Sequence, residues 1–386
     1  MIPYAKHSIN NEDISSVIEV LQSDFITQGP LIAKFENEIS TRFHAKYSVA
    51  VNSATSALHI SCIALGLQKG DILWTSANSF VASANCGLYC NATVDFVDID
   101  PETYNISIKA LEKKLEAASI SKQLPKILIP VHFAGRSCEM KKIYELSKRY
   151  KFKIIEDASH ALGAKYHESL VGSCKYSDIS VFSLHPAKII TSGEGGLALT
   201  NDDILASKLL ALRTHGIKAI EDSSHYPKNE IWNYEQVDLG FNYRMTDISA
   251  ALGSSQLKRL DKFLRRRFQI AEKYNKRLEN LPLNLPGFDR ANLSSWHLYV
   301  VTIDQNYIRK SQREVYEELH SLGIGVNIHY IPIHLQPFYR SKGFNYGDFP
   351  LAEKFYRSAL TLPIYYGLDD NQQEAIIDSL NKVFLQ

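Results

Sequence analysis

The chain has 386 residues, of which 45% are hydrophobic and 22% charged, and its formal net charge at pH 7 is +1. This composition excludes a disordered chain and allows a large core, enough for two domains or for one large α/β unit with an appendage. The small net charge gives no reason to expect nucleic acid or a membrane as a partner, and no apolar run approaches the ~20 residues that span a bilayer.

The cysteines and the N-terminal segment indicate in which cellular compartment the protein is expected. Cys62, Cys86, Cys90, Cys138 and Cys174 are scattered, without the paired spacing of a zinc site. We therefore predict small buried side chains and no metal. Unpaired cysteines, together with an N-terminus that lacks an apolar signal-like run, predict a reduced, cytoplasmic protein.

Strand-like and helix-like patterns alternate through the first two-thirds of the chain. In chain order, the predicted elements are strand 47–52, helix 54–67, strand 71–75, helix 81–90, strand 93–97, strand 126–132, helix 140–150, strand 152–156, strand 179–183 and strand 196–200. Such alternation indicates βαβ units in an α/β fold, with a mostly parallel sheet that helices cover on both faces.

The pattern changes near Thr246. One long helix is predicted over residues 247–281. The pattern of apolar and polar residues after Pro282 indicates a smaller α+β unit. Its predicted elements are strand 297–303, helix 311–322, strand 326–330 and helix 371–384. We therefore divide the chain into a large domain over 1–250, and a linking helix with a smaller C-terminal domain over 251–386.

Polar residues follow several of the predicted strands, where ligands of open parallel sheets bind. The small residues of 52–58 lie between a strand and a helix, so the helix start can hold a phosphate, or Ser53 or Thr55 can simply cap the helix. Asp157 ends another strand, and it can cap a following helix or keep a heterocyclic nitrogen protonated, as a pyridoxal ring requires. Both alternatives stay open at each position.

Lys188 lies between the strand end at Ser183 and the glycine-rich run Gly193–Gly196. Glycines allow a tight turn and a close backbone approach, so the lysine can be held against a ligand. A lysine that is partly removed from water and lies near other cationic groups has a lowered pKa, as bond formation with an aldehyde requires. A fourth polar turn, at residues 240–245, precedes the predicted long helix.

These motifs, together with residues 27–30 and 329–332, resemble the DegT/DnrJ/EryC1/StrS family of sugar aminotransferases. The resemblance runs from Ile2 to about Leu368. It implies the fold type I of pyridoxal phosphate (PLP) enzymes, which is aspartate-aminotransferase-like, with a large PLP-binding domain, an N-terminal substrate segment and a smaller C-terminal α+β domain. It also implies a homodimer with shared active sites.

Within the family, residues 52–58, 131–135, 159–160 and 172–178 are most similar to the branch of the pseudaminic acid pathway. That likeness implies amino transfer from L-glutamate to C4 of a UDP-linked 4-keto-6-deoxy-N-acetylhexosamine. The alternatives are an aminotransferase for another nucleotide 4-keto-6-deoxysugar, such as perosamine, and, from another class, a PLP-binding sugar dehydratase or a non-catalytic regulator. Dehydratase relatives carry a histidine at the position of Lys188, which argues against that alternative.

The resemblance also implies the roles of individual residues. Lys188 would bond to the cofactor and move the proton, and Asp157 would pair with the pyridine nitrogen. The further cofactor-binding positions are Thr55, Ser56, Phe80, His160, Ser183 and, from the partner subunit, Asn242. The implied substrate-binding positions are Tyr4, Asp24, Phe25, Ile26, Thr27, Ala54, Ser183, Asn242, Asn327, Ile328, His329 and Tyr330.

Overall fold

A computed structural model describes residues 1–219, 232–289 and 291–385. Its strands are β1 (Tyr47–Val51), β2 (Ile72–Ser76), β3 (Thr93–Val97), β4 (Ile127–Ile129), β5 (Lys153–Asp157), β6 (Lys165–Tyr166), β7 (Ser169–Leu170), β8 (Ile179–Ser183), β9 (Gly196–Thr200), β10 (Ile217–Ala219), β11 (Tyr234–Gln236), β12 (Leu283–Asn284), β13 (Tyr299–Ile303) and β14 (Ala359–Leu362).

The α-helices follow the same numbering. They are α1 (Asn11–Leu21), α2 (Pro30–Phe43), α3 (Ala54–Ala64), α4 (Ala82–Tyr89), α5 (Ile108–Ser121), α6 (Met140–Tyr150), α7 (Asp203–Arg213), α8 (Asp247–Leu257), α9 (Leu260–Leu278), α10 (Gln312–Ser321), α11 (Pro337–Arg340), α12 (Pro350–Tyr356) and α13 (Asp370–Leu385).

A seven-stranded sheet forms the centre of the large unit, in the order β1-β9-β8-β5-β4-β2-β3. All neighbours from β8 to β3 are parallel, and β9 runs antiparallel to both β8 and β1. The prediction of a mostly parallel sheet in an α/β fold is thereby confirmed. The parallel strands place their carboxyl ends at one edge, which is where the cavity described below opens.

Helices cover both faces of this sheet, as predicted. Neighbouring residues of a strand point to opposite faces, so Val181 of β8 joins the core under α3 and α4, while Phe182 joins the core under α2 and α8. α5 and α6 pack on the second face beside β2 and β4. All five cysteines are buried and free of disulfides, which agrees with the predicted small apolar role.

A three-stranded antiparallel sheet, in the order β12-β13-β14, lies in the C-terminal part. Its core contains Tyr274 of α9, Tyr299 of β13 and Leu360 of β14, with residues from α10 and α13. The predicted smaller α+β unit is therefore present. None of the helices within the described residues is long and apolar enough to cross a membrane.

The prediction of a single helix over 247–281 is wrong. The chain forms α8 and α9, and Arg259 between them leaves helical geometry with φ −103° and ψ 2°. Its guanidinium donates to the buried Asp13 carboxylate of α1 and to the Ser8 carbonyl. A tertiary ion pair thus fixes the residue at the break, which helical periodicity does not reveal.

The predicted strand over 326–330 is also wrong. Only Asn327 pairs with the sheet, through a single bridge to Thr361 of β14. The chain then crosses to the large unit, because the Tyr330 amide donates to Asn78 Oδ1 (3.3 Å) and the Ile333 amide donates to the Ala77 carbonyl (2.9 Å). This crossing segment becomes a wall of the cavity.

Candidate active site

A cavity of about 780 Å³ opens beyond the carboxyl ends of β5 and β8. β5 ends at Asp157 and β8 ends at Ser183, and both residues line the cavity together with Lys188. Adjacent parallel strands end at the same edge of the sheet. The structure therefore brings Asp157, Ser183 and Lys188, which the sequence placed after two different strands, into one cavity.

A tight loop holds Lys188 at the cavity. Thr191 Oγ1 and the Ser192 amide both donate to the Leu184 carbonyl, at 2.8 and 3.0 Å. Gly195 lets the base of the loop pack closely, because a Cβ there would lie 2.2 Å from Ser192 Oγ and 3.3 Å from Leu184 Cβ. The glycine-supported turn predicted around the lysine is thus present.

The amine of Lys188 is chemically available. Across the part of the chain that the structure describes, Lys188 Nζ has neither a hydrogen-bond partner nor an ion-pair partner. Burial lowers the pKa of the Lys188 ammonium to about 8, and the nearby Asp157 carboxylate opposes part of this shift. A substantial neutral fraction near pH 8 makes this amine a nucleophile.

Asp157 is a buried carboxylate with two hydrogen-bond donors. Ser83 Oγ donates to Asp157 Oδ2 at 2.6 Å, and the Ser159 amide donates to Oδ1 at 3.1 Å. The alternative prediction that Asp157 caps a helix is wrong, because the chain turns through residues 158–164 into β6. The carboxylate instead faces the cavity, held in place by Ser83 of α4.

The start of α3 forms another wall. Ser53 is the N-cap, and its Oγ accepts from the Ser56 amide at 3.1 Å, so the predicted cap lies at Ser53. Thr55 and Ser56 line the cavity beside it. Gly196 lets the helix start approach β9, because a Cβ there would lie 2.4 Å from the Ser53 carbonyl. Free amides and hydroxyls at a helix start suit an anionic group.

Phe80 and Tyr330 face each other across the mouth of the cavity. Phe80 is 57% exposed, and its ring centroid lies 6.2 Å from that of Tyr330. His160 lies behind Tyr330, with its Nε2 3.0 Å from the Tyr330 hydroxyl. Tyr4, Ala54, Asn327, Ile328 and His329 complete the set of predicted residues that line the same cavity.

Three buried histidines of the wall are neutral at pH 7. Burial, then Lys188 and His329, lower the pKa of His160 well below its ordinary value. Burial and the charge of Lys188 lower the pKa of His329 to about 4. His297 has its pKa lowered well below the ordinary value by burial and then by His160 and Lys188. The cavity therefore holds imidazoles as hydrogen-bonding groups, without their positive charge.

Five predicted residues lie outside this cavity in the single chain. Asp24 and Phe25 line a separate cleft of about 440 Å³, which α1, α2 and α8 border. Thr27 pairs with Thr246 in an isolated bridge. Asn242 is exposed, and its carbonyl accepts from Asn52 Nδ2 at 3.5 Å. Ile26, which is 52% exposed, belongs to the same surface segment as Asp24.

Sequence reasoning missed several residues of the site, among them Ser83 and His297. Ser83, the donor to Asp157, lies four residues after Ser79, and this spacing at a helix start was the available signal. His297 lines the cavity with its ring centroid 4.4 Å from that of His160. Its place at the beginning of a predicted strand gave no sign of this contact.

Comparison with known proteins identifies the family. The family model described as "DegT/DnrJ/EryC1/StrS aminotransferase family" matches residues 7–381. The chain belongs to this family. A UDP-4-amino-4,6-dideoxy-N-acetyl-beta-L-altrosamine transaminase of Campylobacter jejuni is 36% identical over 388 residues, covering 98% of this chain and 96% of the relative.

Two solved aminotransferase structures are similar to the chain throughout its length. Helicobacter pylori PseC, described as an aminotransferase involved in the biosynthesis of pseudoaminic acid, has a TM-score of 0.90 at 31% identity, covering 100% of this chain and 99% of its own. The PLP-form of the putative sugar aminotransferase Spr1654 from Streptococcus pneumoniae has a TM-score of 0.88 at 27% identity, covering 99% and 98%. The protein is therefore a PLP-dependent sugar aminotransferase of fold type I.

The cavity has the groups that PLP requires. Lys188 offers a buried amine of lowered pKa for the aldehyde, and the buried Asp157 carboxylate can pair with a protonated ring nitrogen. The start of α3, with Gly196 allowing its close approach, offers amides and hydroxyls for the phosphate. The residues present thus fit this cofactor.

Proposed function

We propose that the protein transfers the amino group of L-glutamate to C4 of a UDP-linked 4-keto-6-deoxy-N-acetylhexosamine. The product would be UDP-4-amino-4,6-dideoxy-N-acetyl-β-L-altrosamine, an intermediate for pseudaminic acid. The observation that carries the reaction type is the Lys188 amine, with its lowered pKa, in one cavity with the Asp157 carboxylate. The sugar is supported by the branch-specific motifs and by the likeness to the Campylobacter jejuni altrosamine transaminase and to Helicobacter pylori PseC.

Lys188 and Asp157 are proposed to carry the proton chemistry. PLP, when bound, supplies an electron sink for the charge left when a C–H bond beside nitrogen breaks. Lys188 Nζ removes the proton from the amine-bearing carbon of the donor, and it returns a proton to the cofactor side. Asp157 holds the ring nitrogen protonated, while Ser83 and the Ser159 amide keep the carboxylate in place.

Other residues bind and orient. Thr55, Ser56 and Ser183 would bind the phosphate at the start of α3, Phe80 would stack on the cofactor ring, and His160 would lie beside that ring. Tyr4, Ala54, Asn327, Ile328, His329 and Tyr330 are the proposed contacts of the sugar nucleotide within the same chain. These contacts would retain the cofactor while Lys188 acts as a base.

We further propose a cytoplasmic homodimer with shared sites. Asn242 and the segment Asp24–Thr27 are exposed and lie outside the cavity of their own chain. The Thr27–Thr246 bridge places this segment near the stretch that carries Asn242. Both would then reach the site of a second subunit, where the partner's Asn242 would contact the phosphate.

The substrate is tested by an end-point mass-spectrometric assay with PLP and L-glutamate. The enzyme receives, separately, the L-arabino UDP-4-keto-N-acetyl sugar, its D-xylo epimer and GDP-4-keto-6-deoxymannose. Amination of the L-arabino sugar alone is the expected result. Amination of another sugar would assign the protein to a different 4-amino sugar such as perosamine, and loss of a C–O bond without amination would indicate a dehydratase.

A further inference from the structure

His160 makes two ring hydrogen bonds, and their directions can be derived. The Ala134 amide donates to His160 Nδ1 at 3.3 Å, and His160 Nε2 lies 3.0 Å from the Tyr330 hydroxyl oxygen. A backbone N–H can only donate, so Nδ1 must be the unprotonated nitrogen. In a neutral imidazole the proton is then on Nε2, which donates to the Tyr330 oxygen.

The Tyr330 hydroxyl therefore has an unused hydrogen. Its oxygen accepts from His160, and across the described residues no second group accepts its own O–H. Burial, and then the nearby Asp157 and Tyr4, raise the pKa of Tyr330, so the hydroxyl stays protonated. Tyr330 lines the cavity, so its hydrogen is available to an acceptor that binds there.

The imidazole of His160 is fixed by its surroundings. Ala134 presents its amide from a left-handed conformation with φ 56°, which an alanine adopts only under local constraint. Ser295 Oγ donates to the His160 carbonyl at 2.7 Å, and the His297 ring lies 4.4 Å from the His160 ring at 49°. The ring can thus neither rotate nor move without losing several contacts.

We propose that His160 is a positioning residue, which orients the Tyr330 hydroxyl as a hydrogen-bond donor toward an oxygen acceptor of the bound ligand. The relay runs from the Ala134 amide through His160 to Tyr330 and then to the ligand. The acceptor is a hydroxyl or carbonyl oxygen of either the cofactor or the sugar. The proposal depends on the proposed function only for its choice of these two probes.

The tautomer is measured first, on the apo protein, by ¹⁵N NMR of labelled histidines, with His160→Gln to assign the signal. A neutral His160 with its proton on Nε2 at pH 7 is expected. A proton on Nδ1, or an imidazolium at pH 7, would overturn the relay. This measurement needs neither PLP nor turnover, so it is independent of the substrate assignment.

The relay itself is tested by a double-mutant cycle of Tyr330→Phe and His160→Leu. Two quantities are measured: the Kd of PLP alone, and the KM of the holoenzyme for the keto sugar. Tyr330→Phe is expected to raise one of them about 3- to 10-fold, as loss of one hydrogen bond does. The affected quantity identifies whether the acceptor belongs to the cofactor or to the sugar.

If His160 acts through Tyr330, His160→Leu raises the same quantity, and the double variant is no worse than Tyr330→Phe alone. His160→Gln, which can accept and donate, restores at least part of the loss. Tyr339→Phe is the matched control, because it removes a buried hydroxyl that donates to Asn85 Oδ1 outside the cavity. Additive losses, or no effect of Tyr330→Phe on either quantity, would overturn the proposal.

Discussion

At the scale of single residues, the account depends on the charge state of Lys188. Burial lowers the pKa of this ammonium to about 8, and the Asp157 carboxylate acts in the opposite direction. Below the folded pKa the lysine is charged and unreactive, and above it the neutral amine dominates. The sequence predicted this lowered pKa from partial removal from water and from neighbouring cationic groups. The structure shows that burial is the leading cause.

The first prediction follows from this pKa. The rate at which apo protein combines with PLP should rise with pH and level off, with a midpoint near pH 8. Asp157→Asn should move the midpoint to lower pH, because the charge that raises the pKa is removed. Absorbance of the bound cofactor measures the rate. Asp203→Asn is the control, since it removes an exposed carboxylate paired with Lys46; an unmoved or higher midpoint in Asp157→Asn would contradict the account.

The lowered pKa of Lys188 also makes the stability of the folded protein depend on pH. Because its folded pKa is lower than its unfolded value, the unfolded chain binds more protons between about pH 8 and the ordinary lysine value of 10.5. Unfolding free energy should therefore rise with pH across that window relative to Lys188→Met. Urea titrations of the two apo proteins at several pH values measure the difference. If the difference in unfolding free energy between the two proteins fell as the pH rises, the pKa of Lys188 would not be lowered in the folded protein.

At the scale of elements, most of the large sheet could be predicted and the crossing segments could not. β3, β8, β9 and α6 have the predicted bounds, because local patterns of apolar residues define them. The break at Arg259 depends on an ion pair with Asp13, more than 240 residues away in the chain. The stretch 326–330 has strand-like residues, yet its amides bond to residues of the large unit. Such long-range contacts leave no local signal.

The contact between α3 and β9 gives an element-scale prediction. Gly196→Ala should weaken binding of PLP and of inorganic phosphate at least about tenfold, because the added Cβ would meet the Ser53 carbonyl at 2.4 Å and displace the helix start. Gly287→Ala is the matched control, since a Cβ there has nothing within 4 Å. Isothermal titration measures both affinities. Equal affinities in the two variants would mean that this approach does not shape the phosphate site.

At the scale of the whole molecule, the candidate site could be predicted only in part. The strand-end residues Asp157 and Ser183, and Lys188 in the loop after Ser183, meet as the rule for parallel sheets requires. His297 could not be predicted as a site residue, because its contact with His160 forms where the C-terminal unit packs against the large unit. The division of the chain at about residue 250 remains a proposal, which limited proteolysis can test.

If two subunits share their active sites, two inactive variants should restore activity when they form a hybrid dimer. Lys188→Ala and Asn242→Ala homodimers should each have little activity. When the two are unfolded and refolded together, hybrid dimers should form with one intact site, because Lys188 of one subunit meets the partner's Asn242. About a quarter of wild-type activity is expected if mixing is random and subunits assemble as symmetric pairs. If Asn242 acts within its own chain, the mixture would stay inactive.

The most direct measurement of the central claim is reduction of the PLP-loaded protein with borohydride, followed by peptide mass spectrometry. The account predicts that the cofactor becomes fixed to Lys188, and that Lys188→Ala binds PLP without any such attachment. Attachment to a different lysine, or an equal yield of attachment in Lys188→Ala, would contradict the assignment of this cavity as the active site.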